Sequence, residues 1–179
     1  MTVLVAYASH HGSTREIAER LAATLSRSGV PAEPRSVEDT GDVLGFDAYV
    51  IGSAVYFGGW RREAMEFVHD HAEVLVGRPV WLFSSGPLQG PLPADEWAEI
   101  RRDMLPEQAE ELDRLLRPID HRVFRGALDP EHLDVAERIV TALPVDGAMR
   151  AGDFRDWQAI DAWAEAIAVE LTSRAPGSG

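Results

Sequence analysis

The first fourteen residues constrain this chain more than any other stretch. Val3-Leu4-Val5-Ala6-Tyr7-Ala8 is a short, β-rich apolar run, and Ser9-His10-His11-Gly12 is a small polar loop. From Ser13 onward Ile17, Leu21 and Leu25, with Ala18 and Ala22, recur at helical spacing. An apolar run of that length is a strand covered on both faces, as in the middle of a parallel sheet. Ser13 and Glu16 stand at capping-box spacing, which predicts a helix start at Ser13 or Thr14. The loop therefore joins the carboxyl end of a strand to the amino end of a helix, where unpaired N–H groups and the positive end of the helix dipole converge. Gly12 allows close approach to the backbone, Ser9, Ser13 and Thr14 add hydroxyl groups, and His10 and His11 are either two solvated loop histidines, the reading with the better prior, or help hold a dianion when protonated. A phosphate suits such a loop. An ordinary well-capped turn is the alternative at this point. No Gly-Lys-Ser/Thr follows and no G-x-G-x-x-G occurs, so neither a Walker loop nor a dinucleotide fingerprint is present.

The same strand–loop–helix logic extends along the chain. Val30 to Val37 reads as a second strand, with Pro31 and Pro34 marking an edge. Asp47 to Ser53 is a third, buried strand, followed by the aromatic, glycine-rich loop Ser53–Trp60 and a helix from about Arg61 to Val76 facing inward with Met65, Val68, Ala72 and Leu75. Pro79 to Ser84 is a fourth strand with the exit loop Ser85 to Pro91, and Ala94 to Leu116 reads as two short helices broken at Pro106. Arg122 to Leu128 is a fifth strand, Glu131 to Leu143 a helix and Pro144 to Asp153 a loop. A last helix from Asp156 to Thr172 buries Trp157, Ile160, Ala164, Ile167 and Leu171. Alternation of this kind makes an α/β sandwich of three layers around a parallel sheet, in which ligands bind beyond the carboxyl ends of the strands. The loops leaving strands one, three and four meet on that edge.

A length of 179 residues suits one domain, expected over 1–173, with 174–179 as a disordered tail. No run of about 18 apolar residues is present, and the amino terminus enters a strand without a signal-peptide pattern, so a cytoplasmic protein with no membrane span is expected. The absence of cysteine excludes a thiol nucleophile and a thiolate metal site. A net charge of −13, in which every basic side chain is arginine, argues against nucleic acid and anionic lipid as partners. His69 and His71 on a helix point about 200° apart and cannot share a metal, and His121 and His132 have no partner motif. No Ser-His-Asp arrangement or G-x-S-x-G elbow occurs, and no acid–base catalyst is named by the sequence.

Ser9-His10-His11-Gly12-Ser13-Thr14 resembles the phosphate loop of the flavodoxins, Ser/Thr-x-x-Gly-x-Thr before a helix. Thr14-Arg15-Glu16-Ile17-Ala18, Val50-Ile51-Gly52-Ser53-Ala54-Val55-Tyr56-Phe57-Gly58, Glu66-Phe67-Val68, Gly126-Ala127-Leu128 and Asp156-Trp157 narrow the likeness to the flavodoxin-like, menaquinone-dependent protoporphyrinogen dehydrogenases. The resemblance implies a flavodoxin-like fold with five parallel strands in the order 2-1-3-4-5. It implies FMN as cofactor, with its phosphate on Ser9, His10, His11, Gly12, Ser13 and Thr14. The flavin ring would lie between Ser53, Ala54, Val55, Tyr56, Phe57, Gly58 and Trp60 on one side and Ser84, Ser85, Gly86, Pro87 and Leu88 on the other, with Tyr56, Phe57 or Trp60 stacked on it. The implied activity passes electrons from a substrate, such as a porphyrinogen, through FMN to a quinone or another acceptor. An electron carrier that only docks with redox partners, or a module holding another cofactor such as a deazaflavin, are the alternatives. One stretch departs from the family: relatives that use a membrane quinone carry a basic, apolar insert after the fifth strand, whereas Asp129 to Asp153 is acidic around Glu131-His132-Leu133-Asp134. That departure argues against membrane contact and quinone coupling.

Overall fold

The computed structural model describes residues 1–56, 58–86, 106–128 and 152–174. Strand β1 (Val3–Ala8) leads to helix α1 (Ser13–Arg27), then β2 (Ala32–Ser36) and β3 (Ala48–Tyr56). The two-residue β4 (Gly59–Trp60) precedes α2 (Arg62–Asp70), α3 (Ala72–Leu75) and β5 (Val80–Ser85). After them come α4 (Ala109–Leu116), β6 (Asp120–Phe124), β7 (Ala127–Leu128), β8 (Gly152–Asp153) and α5 (Trp157–Arg174).

Five parallel strands run in the order β2-β1-β3-β5-β6, which is 2-1-3-4-5 once the short β4 is set aside. The direction of strand order reverses at β1, whose neighbours are β2 and β3, so the loop after β1 sits at the switch point where α/β sheets bind ligands. β2, which contains Pro34, is an edge strand, where a missing N–H is tolerated. Side-chain alternation sends Val5, Val50, Trp81 and Phe83 to one face, against α1 and α5, and Leu4, Ile51 and Leu82 to the other, with Phe67, Val68 and Leu112 of α2 and α4. Both faces are covered, which is why the strands are continuously apolar.

Three expectations need correction. The helix from Arg61 to Val76 is two helices, broken at His71. The backbone leaves the helical region there (φ −111°), and both the His71 N–H (3.2 Å) and its Nδ1 (2.9 Å) lie on the Phe67 carbonyl. A side-chain nitrogen competing for a helix carbonyl interrupts the ladder. The buried face is accordingly Ala64, Phe67, Val68 and Leu75, with Met65 and Ala72 only half-buried. The fifth strand is β6 alone; Ala127 and Leu128 pair antiparallel with Asp153 and Gly152, so the expected loop up to Asp153 ends in a strand. Finally, β3 runs on to Tyr56 because β4 pairs back onto it. The helix from Glu131 to Leu143 and the stretch 94–105 lie outside the described residues, as do residues 175–179 beyond α5.

The two helices on the β1 face are tied together by Asp161. Its carboxylate accepts from Arg20 Nε (2.7 Å) and Nη2 (2.5 Å) and from the Thr24 hydroxyl (2.7 Å). The Arg20 guanidinium holds the Asp161 carboxyl down to about 2, with Thr24 and Arg27 adding to it and burial opposing. A carboxyl depressed in the folded state stabilises above its unfolded pKa and loses that contribution as pH falls. Asp161→Ala is therefore expected to cost about 1 kcal/mol at pH 7, a figure held down by the pair's partial exposure. In urea denaturation the gap between variant and parent should shrink from about pH 4, be roughly halved near pH 2 and close only below it, where the wild-type carboxyl is protonated in both states.

Candidate functional site

The loop after β1 is shaped by Gly12. Its φ of +86° is left-handed, a conformation that L side chains rarely adopt, and it forms the N-cap of α1. The Ser9 hydroxyl accepts from the Gly12 N–H at 3.1 Å, folding the loop back on itself. The Gly12 carbonyl accepts the Glu16 N–H at 3.0 Å. The amides of Ser13, Thr14 and Arg15 come before that first bond and have no carbonyl within the helix to reach. They form a donor cluster at the positive end of the dipole. The rings of His10 and His11 meet edge to face at 4.3 Å beside it.

The expected capping box does not form. The helix begins at Ser13, but Ser13 is its first residue and not its cap; its hydroxyl accepts the Ala127 N–H at 2.8 Å. Glu16 turns outward to Arg155 Nη1 at 2.7 Å, and the same guanidinium holds Asp153 through Nε (2.8 Å) and Nη2 (2.6 Å) while lying 4.5 Å over the Trp157 ring. Thr14 is buried, and its hydroxyl shares a hydrogen bond of 2.6 Å with Ser85 at the end of β5. Two hydroxyls carry two hydrogens and this bond uses one, so the pair keeps one hydrogen to donate. The phosphate-type loop is thus braced from β5 and from β7.

The β3 exit is clamped as tightly. The buried Ser53 hydroxyl accepts the Arg61 N–H (3.0 Å) and donates to the Ala54 carbonyl (2.9 Å), so its hydrogen is spent inside the fold. Ala54 is buried and Val55 half-buried. Tyr56 pairs with Gly59 through its backbone, and Gly58 turns the chain at φ +85° with its carbonyl accepting the Glu107 N–H at 2.9 Å. Trp60 is not an open loop aromatic. It is 5% exposed, its indole N–H donates to Ser84 Oγ at 2.8 Å, and its backbone N–H donates to Gln108 Oε1 at 3.0 Å. It is held in the packing with residues of α2 and α4. Phe57, Pro87 and Leu88 lie outside the described residues, as does the Tyr56 side chain.

At the β5 exit, Gly86 adopts φ +132° and donates its N–H to the Phe124 carbonyl at 3.1 Å. A Cβ there would stand 3.3 Å from the Val55 carbonyl, so the two exit loops approach backbone to backbone. Ser84 is buried beneath them, with His121 Nε2 3.0 Å from its hydroxyl. Burial lowers the His121 pKa from its ordinary value to about 4 against an opposing pull from Asp120, so the ring is neutral at pH 7. Glu107, Gln108, His121, Ala127 and Arg155 take part in this architecture without any local sequence motif.

Among the described residues, no group of three His, Asp or Glu side chains could hold a metal, and no helix is long and apolar enough to cross a membrane. The sequence matches the model of the flavodoxin domain family over residues 4–153. It is 31% identical over 86 residues to protoporphyrinogen IX dehydrogenase (quinone) of Escherichia coli K12, and the match covers 47% of this chain and 48% of that protein, about half of each. Among solved structures, an archaeal flavodoxin aligns over 96% of this chain and 99% of its own, with a TM-score of 0.56 and 17% identity. A cysteine variant of Pseudomonas aeruginosa flavodoxin aligns over 96% and 99%, with a TM-score of 0.58 and 17% identity. At these identities the structural likeness speaks for the fold.

Proposed function

The chain belongs to the flavodoxin domain family, and from that premise we propose that it binds FMN and works as a redox protein. The phosphate would sit on Ser9 to Thr14, and the ring between the β3 and β5 exits. One observation carries this reading: a left-handed Gly12 caps α1, so three leading amides open onto the switch point of the sheet. The residues present fit the group. A dianion gains from these donors and from the hydrogen left over in the Thr14–Ser85 pair, and the space beside Gly12 holds nothing nearer than Arg15 Nη2, 3.9 Å from where a Cβ would stand. Bound FMN would supply one- and two-electron redox chemistry. The protein would bind, orient and tune it through fixed backbone dipoles, which agrees with a crevice built from clamped turns.

The finer reading is an oxidoreductase of the protoporphyrinogen dehydrogenase type, taking electrons from a porphyrinogen-like substrate and passing them to a quinone or another acceptor. The partial match to the Escherichia coli enzyme supports it. The net charge of −13 favours a second reading, an electron carrier steered to basic redox partners. The purified protein mixed with FMN and desalted is expected to keep a perturbed flavin absorption band at about one FMN per chain, given an enclosed site for the ring. A colourless protein would refute both readings. Turnover of a porphyrinogen with a quinone separates enzyme from carrier.

A further inference from the structure

Under the crevice runs a buried polar relay that the flavin reading does not use. The Trp60 indole N–H donates to Ser84 Oγ at 2.8 Å, and Ser84 Oγ stands 3.0 Å from His121 Nε2. An indole only donates, so Ser84 accepts there and has one hydrogen of its own left. A neutral His121 with Nε2 unprotonated takes that hydrogen, an assignment that leaves both donors of the relay satisfied. Burial keeps the ring in this neutral state, and Asp120 is the charged neighbour that acts on it. The Trp60 and His121 rings also meet edge to face at 5.9 Å. Ser84 is fully buried, so a broken link strands a polar group away from water.

The relay ends on the β3–β4 ladder. Trp60 pairs across the β3–β4 ladder with Val55, and the turn between them carries Gly58. Ser84 lies in register with Ser53 at the same height of the sheet and directly precedes Ser85, the partner of Thr14. One histidine on β6 is therefore linked through Ser84 on β5 to Trp60 at the β3–β4 turn. We propose that His121 is a positioning residue: acting through Ser84 and Trp60, it sets the β3–β4 turn where the flavin ring packs. The inference rests on the reading that the ring lies between this turn and the β5 exit.

His121→Gln keeps an acceptor and His121→Leu removes it. In flavin-free protein the Trp60 indole N–H, identified by its loss in Trp60→Phe, should exchange with solvent about tenfold faster in His121→Leu, as expected for one lost buried hydrogen bond. His121→Gln should exchange near the wild-type rate. Riboflavin and FMN should both bind about tenfold more weakly to His121→Leu, for the same lost bond. Their affinity ratio should hold, because the phosphate loop is untouched, and the bound flavin band should relax toward that of free flavin. Glutamine should restore affinity and band. Asp161→Ala, which loosens the α1–α5 contact on the other face of the sheet, should leave the band unchanged. Should the leucine variant fail to fold, Trp60→Phe, which deletes only the donor end and keeps an aromatic ring, should show the same flavin defect. Wild-type affinity and band in these variants would overturn the positioning role while the flavin site stands. A wild-type protein that binds neither flavin would overturn the site reading and this inference with it.

Discussion

Gly12→Asp is expected to weaken FMN binding by about a hundredfold or more and to leave riboflavin binding within about threefold, because its charge and its backbone strain both act on the phosphate loop, which riboflavin, lacking the phosphate, does not use. Two terms act together. The φ of +86° disfavours any side chain, although Asp and Asn tolerate the left-handed region better than most. A carboxylate about 5 Å from a phosphate charge adds roughly 3 kcal/mol of repulsion at an effective dielectric of 20. The fold should survive, since a Cβ at Gly12 meets nothing nearer than Arg15 Nη2 at 3.9 Å, and that guanidinium can pair with the new carboxylate. Gly12→Asn separates the terms: it carries the same backbone strain without the charge, so its FMN Kd should rise by no more than about tenfold. Thr14→Ala added to Gly12→Asp should abolish retention on desalting. Flavin titration of the three variants decides the matter, and unchanged FMN affinity in Gly12→Asp would remove the phosphate from this loop.

The part of the molecule legible in the sequence is the part whose physics is local. Val3–Ala8, the Ser9–Gly12 loop and the Ile17–Leu21–Leu25 stripe announce a buried strand, a turn and an amphipathic helix because each signal fits within one element. Pro34 marks β2 as an edge for the same reason. What local reading missed was settled by residues far away in the chain. Ser13 and Glu16 have capping-box spacing, yet Ala127 and Arg155 claim them from 114 and 139 positions on. Trp60 in a Gly-rich stretch looks like a loop residue, and Ser84, Gln108 and His121 draw it into the core. β4 and β7 are two residues each, too short to show any period. His121 has no motif because its partners stand on two other strands.

The same long-range contacts brace the described parts of the three strand exits. The α1 amino end is braced by Ser85 and Ala127, the β3 exit by Arg61, Glu107 and Gln108, and the β5 exit by Phe124. Each brace is a hydrogen bond to backbone or to a buried hydroxyl, so it adds little side-chain entropy cost. A crevice held this way can present fixed dipoles to a bound ring. That is the preorganisation that cofactor tuning requires.

Gly52→Ala is expected to be the most destabilising single-methyl change in the sheet, costing about 3 kcal/mol, the upper end of ordinary overpacking. Glycine in a strand interior is normally a weakness, and here it marks a close approach. Gly52 lies in register with Phe83 on β5, and a Cβ on Gly52 would fall inside the Phe83 ring. The ring cannot step aside. Phe83 is fully buried and packed against Phe124 at 6.2 Å and Trp163 at 6.4 Å, which contact each other at 5.5 Å. The methyl must therefore displace an aromatic cluster that also seats α5. Some of the cost is offset because alanine loses less backbone entropy on folding than glycine. Shortening the ring should relieve the rest: Phe83→Leu alone creates a void, but combined with Gly52→Ala it should recover about 2 kcal/mol relative to the sum of the single changes, a coupling within the range for residues in contact. Urea denaturation of the two single variants and the double variant measures that coupling directly. Strict additivity would mean that glycine stands at position 52 for some reason other than the Phe83 ring.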